Sequence, residues 1–162
     1  MRKYLLLISG AILALDLLTK SLVKQRIPLY GDVDIIPGLF RLTHLENTGA
    51  AFSLFADSAS PWVGRMLVLF SLAALAVISY LLWQRGATID LASIALALFL
   101  AGTLGNLCDR LVRGKVTDFL DFYIGSHHWP PFNVADSAIV LGALLLAGRV
   151  FFFGPESGHE GS

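Results

Sequence analysis

Three aspartates cluster where the third apolar run of the chain ends and the fourth begins: Asp109, Asp118 and Asp136. They lie in the stretches Gly105-Asn106-Leu107-Cys108-Asp109-Arg110, Val116-Thr117-Asp118-Phe119 and Phe132-Asn133-Val134-Ala135-Asp136. An ionised carboxylate beside hydrocarbon is costly unless it is paired or hydrated, so acids at the ends of apolar helices point to function. Two carboxylates that converge on one site can share a proton and activate water. The chemistry this pattern predicts is hydrolysis at the level of a membrane.

The apolar runs must position these acids. The chain has 162 residues, of which 56% are hydrophobic and 15% charged, and its mean hydropathy is +0.70. Soluble domains carry about 45–50% apolar and about 25% charged residues, so the main solvent here is lipid. Twelve basic residues match twelve acidic ones, and nothing suggests nucleic acid. The lone Cys108 cannot form an internal disulfide, and His44, His127 and His128 fit no zinc spacing. Neither metal nor other cofactor is expected.

A helix needs about 20 apolar residues to cross a hydrocarbon core. Runs at 4–23, 63–83, 91–108 and 134–153 meet that requirement. The fold expected is an all-α membrane protein with four transmembrane helices in a single domain, 1–162. Trp62, Tyr80 and Trp83 bracket the second run as interfacial anchors. The first run follows Arg2 and Lys3 as a secretory leader would, but it continues through Asp16 and Lys20 without a small-residue cleavage site and reads as a retained helix. The polar tail, 154–162, has no evident role.

The short link at 84–90 makes helices two and three an antiparallel hairpin, and four spans put both termini on one side. The end of helix one (Asp16, Lys20), the end of helix three (Asp109, Arg110) and the first turn of helix four (Asp136) then share the opposite face, with Asp118 in the link between the last two. The long connection at 24–61 lies on that face too. Within it, Leu39 to Leu45 is β-prone and Asn47-Thr48-Gly49 is a turn signal, so a small β-containing surface region is expected there. Lys24, Arg26, Arg41, Arg65, Arg110, Arg113 and Lys115 also fall on this side, and a positive-inside count would make it cytoplasmic.

Each feature has a bland alternative. Asp16 and Lys20, at i and i+4, could neutralise each other while Lys20 snorkels to the interface. Arg110 suits a helix carboxyl end, and Asn133 and Asp136 suit a helix amino end. Cys108 has no neighbouring His to make it a nucleophile, Ser53 and Ser137 have no spacing that pairs them with Lys20, and His127-His128 looks like an interfacial loop. Asp118, after the basic stretch from Arg110 to Lys115, is the hardest to dismiss. A proton- or ion-coupled transporter would use such acids as a relay, but these gather at one face instead of lining a path. An assembly factor glued by ion pairs would leave the long surface loop unexplained.

Taken together, Asp16-x-x-x-Lys20, Asn47-Thr48-Gly49-Ala50-Ala51-Phe52, Gly105-Asn106-x-x-Asp109-Arg110, Val116-Thr117-Asp118-Phe119 and Phe132-Asn133-x-Ala135-Asp136 closely resemble the lipoprotein signal peptidase (signal peptidase II) family, in order and spacing. Only Cys108 departs, standing where a plain apolar residue is expected. The resemblance implies an aspartic endopeptidase of the bacterial inner membrane, with both termini cytoplasmic and the site facing the periplasm, against the charge count. Its implied catalytic residues are Asp118 and Asp136, and its implied substrate is a prolipoprotein carrying diacylglyceryl on the Cys after the cleavage site. Asp16, Lys20, Asn47, Gly49, Asn106, Asp109, Arg110 and Asn133 become binding or supporting groups. The amides and Arg110 would hold the substrate or oxyanion, Asp109 would hold Arg110 or a loop, and the Asp16–Lys20 pair would knit helix one to the site. Partners are then lipidated substrates and membrane lipids, with the protein acting as a monomer.

Because these motifs supply carboxylates and amides and no His/Cys ligand cluster, EDTA should leave the cleavage rate unchanged. A loss of activity on chelation that returns with added zinc would mean the acids are metal ligands instead.

Overall fold

A computed structural model of the chain describes residues 2–49, 61–85 and 89–153. The motif residues Ala50, Ala51 and Phe52, Ser53 and the tail lie outside the described residues. The elements are α1 (Arg2–Arg26), β1 (Asp32–Ile36), β2 (Phe40–Asn47), α2 (Pro61–Gln84), α3 (Leu91–Arg113), β3 (Val116–Ile124), β4 (His127–His128) and α4 (Val134–Phe153). Among the described residues, four helices are long and apolar enough to cross a membrane. Their apolar side chains point outward: Leu7 and Leu18 of α1, Leu69 and Phe70 of α2, and Leu144 and Phe151 of α4 are all exposed. That is an inverted surface for water and an ordinary one for lipid.

Helix α3 is the axis of the bundle, packing against α1, α2 and α4. Lipid gives apolar side chains no reason to leave it, so helices associate through close backbone approach at small residues. The buried face of α3 carries Ala95, Ala97, Ala101, Gly102 and Gly105. A Cβ on Gly102 would stand 2.4 Å from the carbonyl oxygen of Ala135 and 2.7 Å from Ile139 Cγ1. On Gly105 it would stand 2.5 Å from Asp16 Oδ2 and 3.1 Å from the Ala135 Cβ. These two glycines let α4 and a carboxylate of α1 press against α3. Asp90 caps α3, accepting from Ser93 N at 2.7 Å, and its ion pair with Arg85 (2.7 Å) clips the α2–α3 hairpin.

The observed elements extend beyond the bounds read from the sequence. Helix α3 does not stop at Cys108 but runs to Arg113, where Gly114 (φ 75°) ends it, its N–H donating to Arg110 O at 2.9 Å. Asp109 and Arg110 therefore sit inside the helix. Helix α1 likewise continues to Arg26. Hydropathy ends where polar residues begin, whereas a helix continues as long as those polar side chains find partners.

The β structure is also not confined to the first long connection. β1 and β2 come from it, but the sheet continues β1-β2-β3-β4 through the α3–α4 link. β2 and β3 are antiparallel, with Leu45 opposite Asp118 and Asn47 opposite Val116, and a register shift between Leu42 and Leu45. Asp118 is thus a strand residue, and His127-His128 forms a short strand against Tyr123 and Ile124 in place of a loop. A lone hairpin is marginal in stability, and pairing with β3 gives β1–β2 its third strand. Val23 of α1 and Ile27, the residue after that helix, pack against Phe119 of β3, with Leu42, Leu120 and Val134 around them, and so seat the sheet on the bundle.

Gly102→Ala should destabilise the protein by roughly 1–3 kcal/mol through overpacking, whereas Gly10→Ala, with nothing within 4 Å of the new methyl, should be neutral or stabilising. Thermal unfolding in detergent checks the pair; equal midpoints for both variants would contradict the close α3–α4 approach.

Candidate active site

The strand β3 and the start of α4 are brought together by backbone pairing. Phe132, just before α4, accepts from Phe119 N (3.0 Å) and Leu120 N (2.8 Å) and donates to Leu120 O (3.1 Å). This sets Asn133 beside Asp118. Asn133 has no exposed surface, and its Nδ2 donates to Asp118 Oδ1 at 2.7 Å. Its Oδ1 accepts from Asp136 N at 2.9 Å, and Asp136 Oδ2 in turn accepts from Asn133 N at 3.3 Å. This reciprocal arrangement is a capping box closed by aspartate, so the turn that caps α4 also aims the Asp136 carboxylate.

Two more amides complete the clamp. Asn47, at the end of β2, donates from Nδ2 to Asp118 Oδ2 at 2.9 Å, while its Oδ1 accepts from Gly49 N at 2.8 Å and locks the turn. Asn106 of α3 donates from Nδ2 to Asp136 Oδ1 at 2.8 Å. Each of these asparagine amides thus faces an aspartate, where the sequence reading aimed them at the substrate. Arg110 does not pair with Asp109. It donates to Gly49 O (3.0 Å) and Asn106 O (3.4 Å), tying the turn after β2 over α3, within electrostatic reach of Asp136 and Asp118.

Behind the amides lies a buried ionic layer. Asp16 and Lys20 of α1 are both 0% exposed, so Lys20 does not snorkel. Its Nζ stands 2.7 Å from Asp16 Oδ2, 3.3 Å from Asp109 Oδ2 and 3.1 Å from Asn106 Oδ1. Asp16 Oδ1 accepts from Ala135 N at 2.9 Å, placing an anion at the positive end of α4. Asp109 Oδ2 accepts from Thr117 N at 3.3 Å and so holds the start of β3, next to Asp118. Lys24 approaches Asp109 at 3.8 Å.

All ten residues singled out from the sequence meet at this junction of α1, α3, β2, β3 and α4. Sequence reasoning missed Asp121, 1% exposed, which pairs with Arg41 Nε (2.7 Å) and His128 Nδ1 (3.0 Å) on the sheet. No periodicity signalled it: it stands three residues after Asp118, an odd spacing that places the two on opposite faces of β3. Among the described residues, no group of three His, Cys, Asp or Glu side chains is disposed to hold a metal ion.

Burial, and then the charge of Asp136, pushes the Asp118 carboxyl up from its usual value to about 7, with the amides of Asn47 and Asn133 opposing the rise. A carboxyl that titrates near neutrality can hold a proton or release one at working pH, as acid–base catalysis requires.

Fold and site define a multi-pass membrane enzyme organised round two amide-clamped aspartates. Comparison with known proteins carries this to a family. Residues 8–152 match the family model described as signal peptidase (SPase) II. The lipoprotein signal peptidase of Desulforapulum autotrophicum is 46% identical over 149 residues, covering 91% of both chains, and that of Geobacter sulfurreducens is 47% identical over 135 residues, covering 83% of both. Two solved structures, each described as a bacterial membrane enzyme obtained by the in meso method, superpose with TM-scores of 0.83 and 0.79 at 24% and 25% identity. The first alignment covers 99% of this chain and 94% of the other. The chain belongs to the signal peptidase II family of aspartic peptidases, enzymes of lipoprotein processing.

Asn133→Ser keeps a side-chain oxygen to cap α4 but removes the donor to Asp118. It should keep the thermal midpoint within a few degrees and lower turnover by at least about tenfold, the equivalent of one lost hydrogen bond to a charged group. Normal turnover would mean that the Asn133 amide does not orient the site.

Proposed function

We propose that the chain acts as a single integral membrane peptidase domain and cuts diacylglyceryl-modified prolipoproteins just before the lipidated Cys, with Asp118 and Asp136 as the catalytic pair. The observation that carries this reading is a continuous path from lipid to carboxylate. An apolar groove of about 400 Å³, lined by Trp129, Phe132, Val140, Leu141 and Leu144, runs along α4 and has Asp136 and Ser137 in its wall. A lipid-anchored peptide could keep its acyl chains against the apolar wall and present the scissile bond at the level of the acids.

Two carboxylates about 4 Å apart at an effective dielectric near 20 repel by about 4 kcal/mol, roughly three pK units, so the pair retains one proton near neutral pH. The ionised member takes a proton from water as the water oxygen bonds to the scissile carbonyl carbon. The protonated member gives its proton to the carbonyl oxygen. Collapse of the tetrahedral species breaks the C–N bond: the proton taken from water passes to the departing amine, and one hydroxyl of the tetrahedral carbon returns its proton to the other aspartate, restoring the singly protonated pair. The products are the carboxylate of the signal peptide and the free amino group of the lipidated Cys.

The site is proposed to face the periplasm, with both termini in the cytoplasm. The basic residues that argue otherwise are largely engaged within the protein: Lys24 by Asp109, Arg41 by Asp121 and Asp32, Arg113 and Lys115 by Glu46, and Arg110 by Gly49 O. A Lys or Arg fixed by an internal partner is a structural charge, which weakens its use as a topology signal.

Purified protein should shorten a lipidated prolipoprotein on a gel. Asp118→Asn and Asp136→Asn should each lower cleavage by at least about 10²–10⁴-fold while keeping the fold, with Asp57→Asn and Glu156→Gln as near-neutral controls. The pH profile of kcat/KM should be bell-shaped. Its alkaline limb marks loss of the retained proton as pH rises through a value near 7, well above the ordinary Asp value of about 3.9. Turnover by either dyad variant, or a rate that stays flat to strongly basic pH, would exclude the shared-proton mechanism.

A further inference from the structure

We infer that Lys20 is a positioning residue that sets the protonation state of the aspartate pair, acting through the Asn106 amide and through the charge balance of the buried cluster. The inference rests on the dyad reading above and goes beyond it, because Lys20 is on α1 and makes its contacts with Asp16, Asp109 and Asn106.

The geometry has two parts. The Lys20 ammonium donates to Asn106 Oδ1 at 3.1 Å and pairs ionically with Asp16 Oδ2 and Asp109 Oδ2 at 2.7 and 3.3 Å. With its oxygen drawn to the cation, the Asn106 amide must point Nδ2 the other way, where it donates to Asp136 Oδ1. Lys20, together with Asn133 Nδ2, which donates to the same oxygen at 3.3 Å, thus fixes which end of Asn106 the catalytic acid sees. Exchanging the two ends would set an NH2 against the ammonium and an oxygen against the carboxylate.

The second part is charge. The cluster holds the acids Asp16 and Lys20's other partner Asp109, with Asp118 and Asp136, against the cations Lys20, Lys24 and Arg110. Fully ionised, these seven groups carry one excess negative charge. A single proton on the pair makes the cluster neutral, which is the state that buried ionic groups favour. Further out, Glu46 of β2 faces two cations, Arg113 and Lys115, whose side chains are about one-third exposed and so screened by solvent, and Asp121 of β3 faces Arg41 and His128. His44 of β2 contacts Ile27 O through Nδ1 at 2.9 Å, and its Nε2 is buried without a hydrogen bond. The singly protonated dyad is therefore the state that the surrounding charges select, and Lys20 is their most buried cation.

Opposite changes of charge should then move the kcat/KM–pH profile in opposite directions. Lys20→Met removes a cation, so both limbs should move to higher pH by on the order of one unit. Asp109→Asn removes an anion, and both limbs should move to lower pH. The double variant restores neutrality with one proton, and its limbs should return toward the parent positions even if the rate stays low. Lys20→Arg should keep the limbs in place. Profiles are measured in nanodiscs with the lipidated prolipoprotein, alongside thermal unfolding. Limbs of Lys20→Met that stay at the parent pH while the rate falls, or that move the same way as those of Asp109→Asn, would overturn the inference. If Lys20→Met yields no folded protein, Asp109→Asn and the double variant decide it, and a double variant whose limbs fail to return toward the parent overturns it. Asp118→Asn separates the two levels: turnover by that variant removes the dyad reading and this inference with it, whereas its inactivity together with unmoved limbs in Lys20→Met removes the role of Lys20 alone.

Discussion

Carboxylates held out of water beside a lipid bilayer must find donors inside the protein, and the junction of α1, α3, β3 and α4 is shaped by that need. Asp16 takes a backbone N–H from the start of α4 and the ammonium of Lys20. Asp109 takes the same ammonium and a backbone N–H from the start of β3. Asp118 and Asp136 take asparagine amides. Removing one donor would leave a buried acceptor unpaired, a cost of about 1–3 kcal/mol, more for a charged group. The asparagines therefore cannot be exchanged for apolar residues as a packing core can, and the polar layer fixes helix register in a bundle whose lipid-facing surfaces are indifferent to it.

The same layer couples stability to chemistry. Asn133 caps α4, receives the backbone of Asp136 and holds Asp118, so one side chain spans helix initiation and the acid pair. Asp109 anchors β3 while sharing Lys20 with Asp16. Buried polar networks rigidify as their members find partners, and here even Asp16 Oδ2, which accepts no hydrogen bond, is held by the Lys20 ammonium at 2.7 Å. The sheet adds a second support, since Phe119 packs on Val23 and Ile27, at the end of α1 and just beyond it, and carries β3 with it. Cys108, the departure from the family pattern, is a free half-buried thiol on α3, one residue before the ionic layer.

The helices and the acids were legible in the chain before any fold was known. Apolar runs of bilayer length announce spans because lipid cannot hydrogen-bond backbone, and Asp16, Asp109, Asp118 and Asp136 stood out because charge in such surroundings is costly unless paired or hydrated. Span counting placed them on one face. The motif strings then pointed to the family that the comparisons support at 46% and 47% identity. What sequence could not supply was the extent of α3 past Cys108, since the continuation is polar and depends on partners from α1 and β3.

The amino-acid sequence by itself determined the membrane class, the four spans and the set of polar residues at one surface, because hydropathy and i, i+4 spacing are local properties of the chain. The tertiary structure decided how those residues divide their work. Pairing of Phe132 with Leu120 sets Asn133 against Asp118, the β2–β3 register brings Asn47 to the same carboxylate, and the bare backbone at Gly105 admits Asp16 between α3 and α4. Each of these contacts joins residues far apart in sequence or depends on a register that several strand alignments could satisfy. Such choices are settled only when contacts from several elements form together.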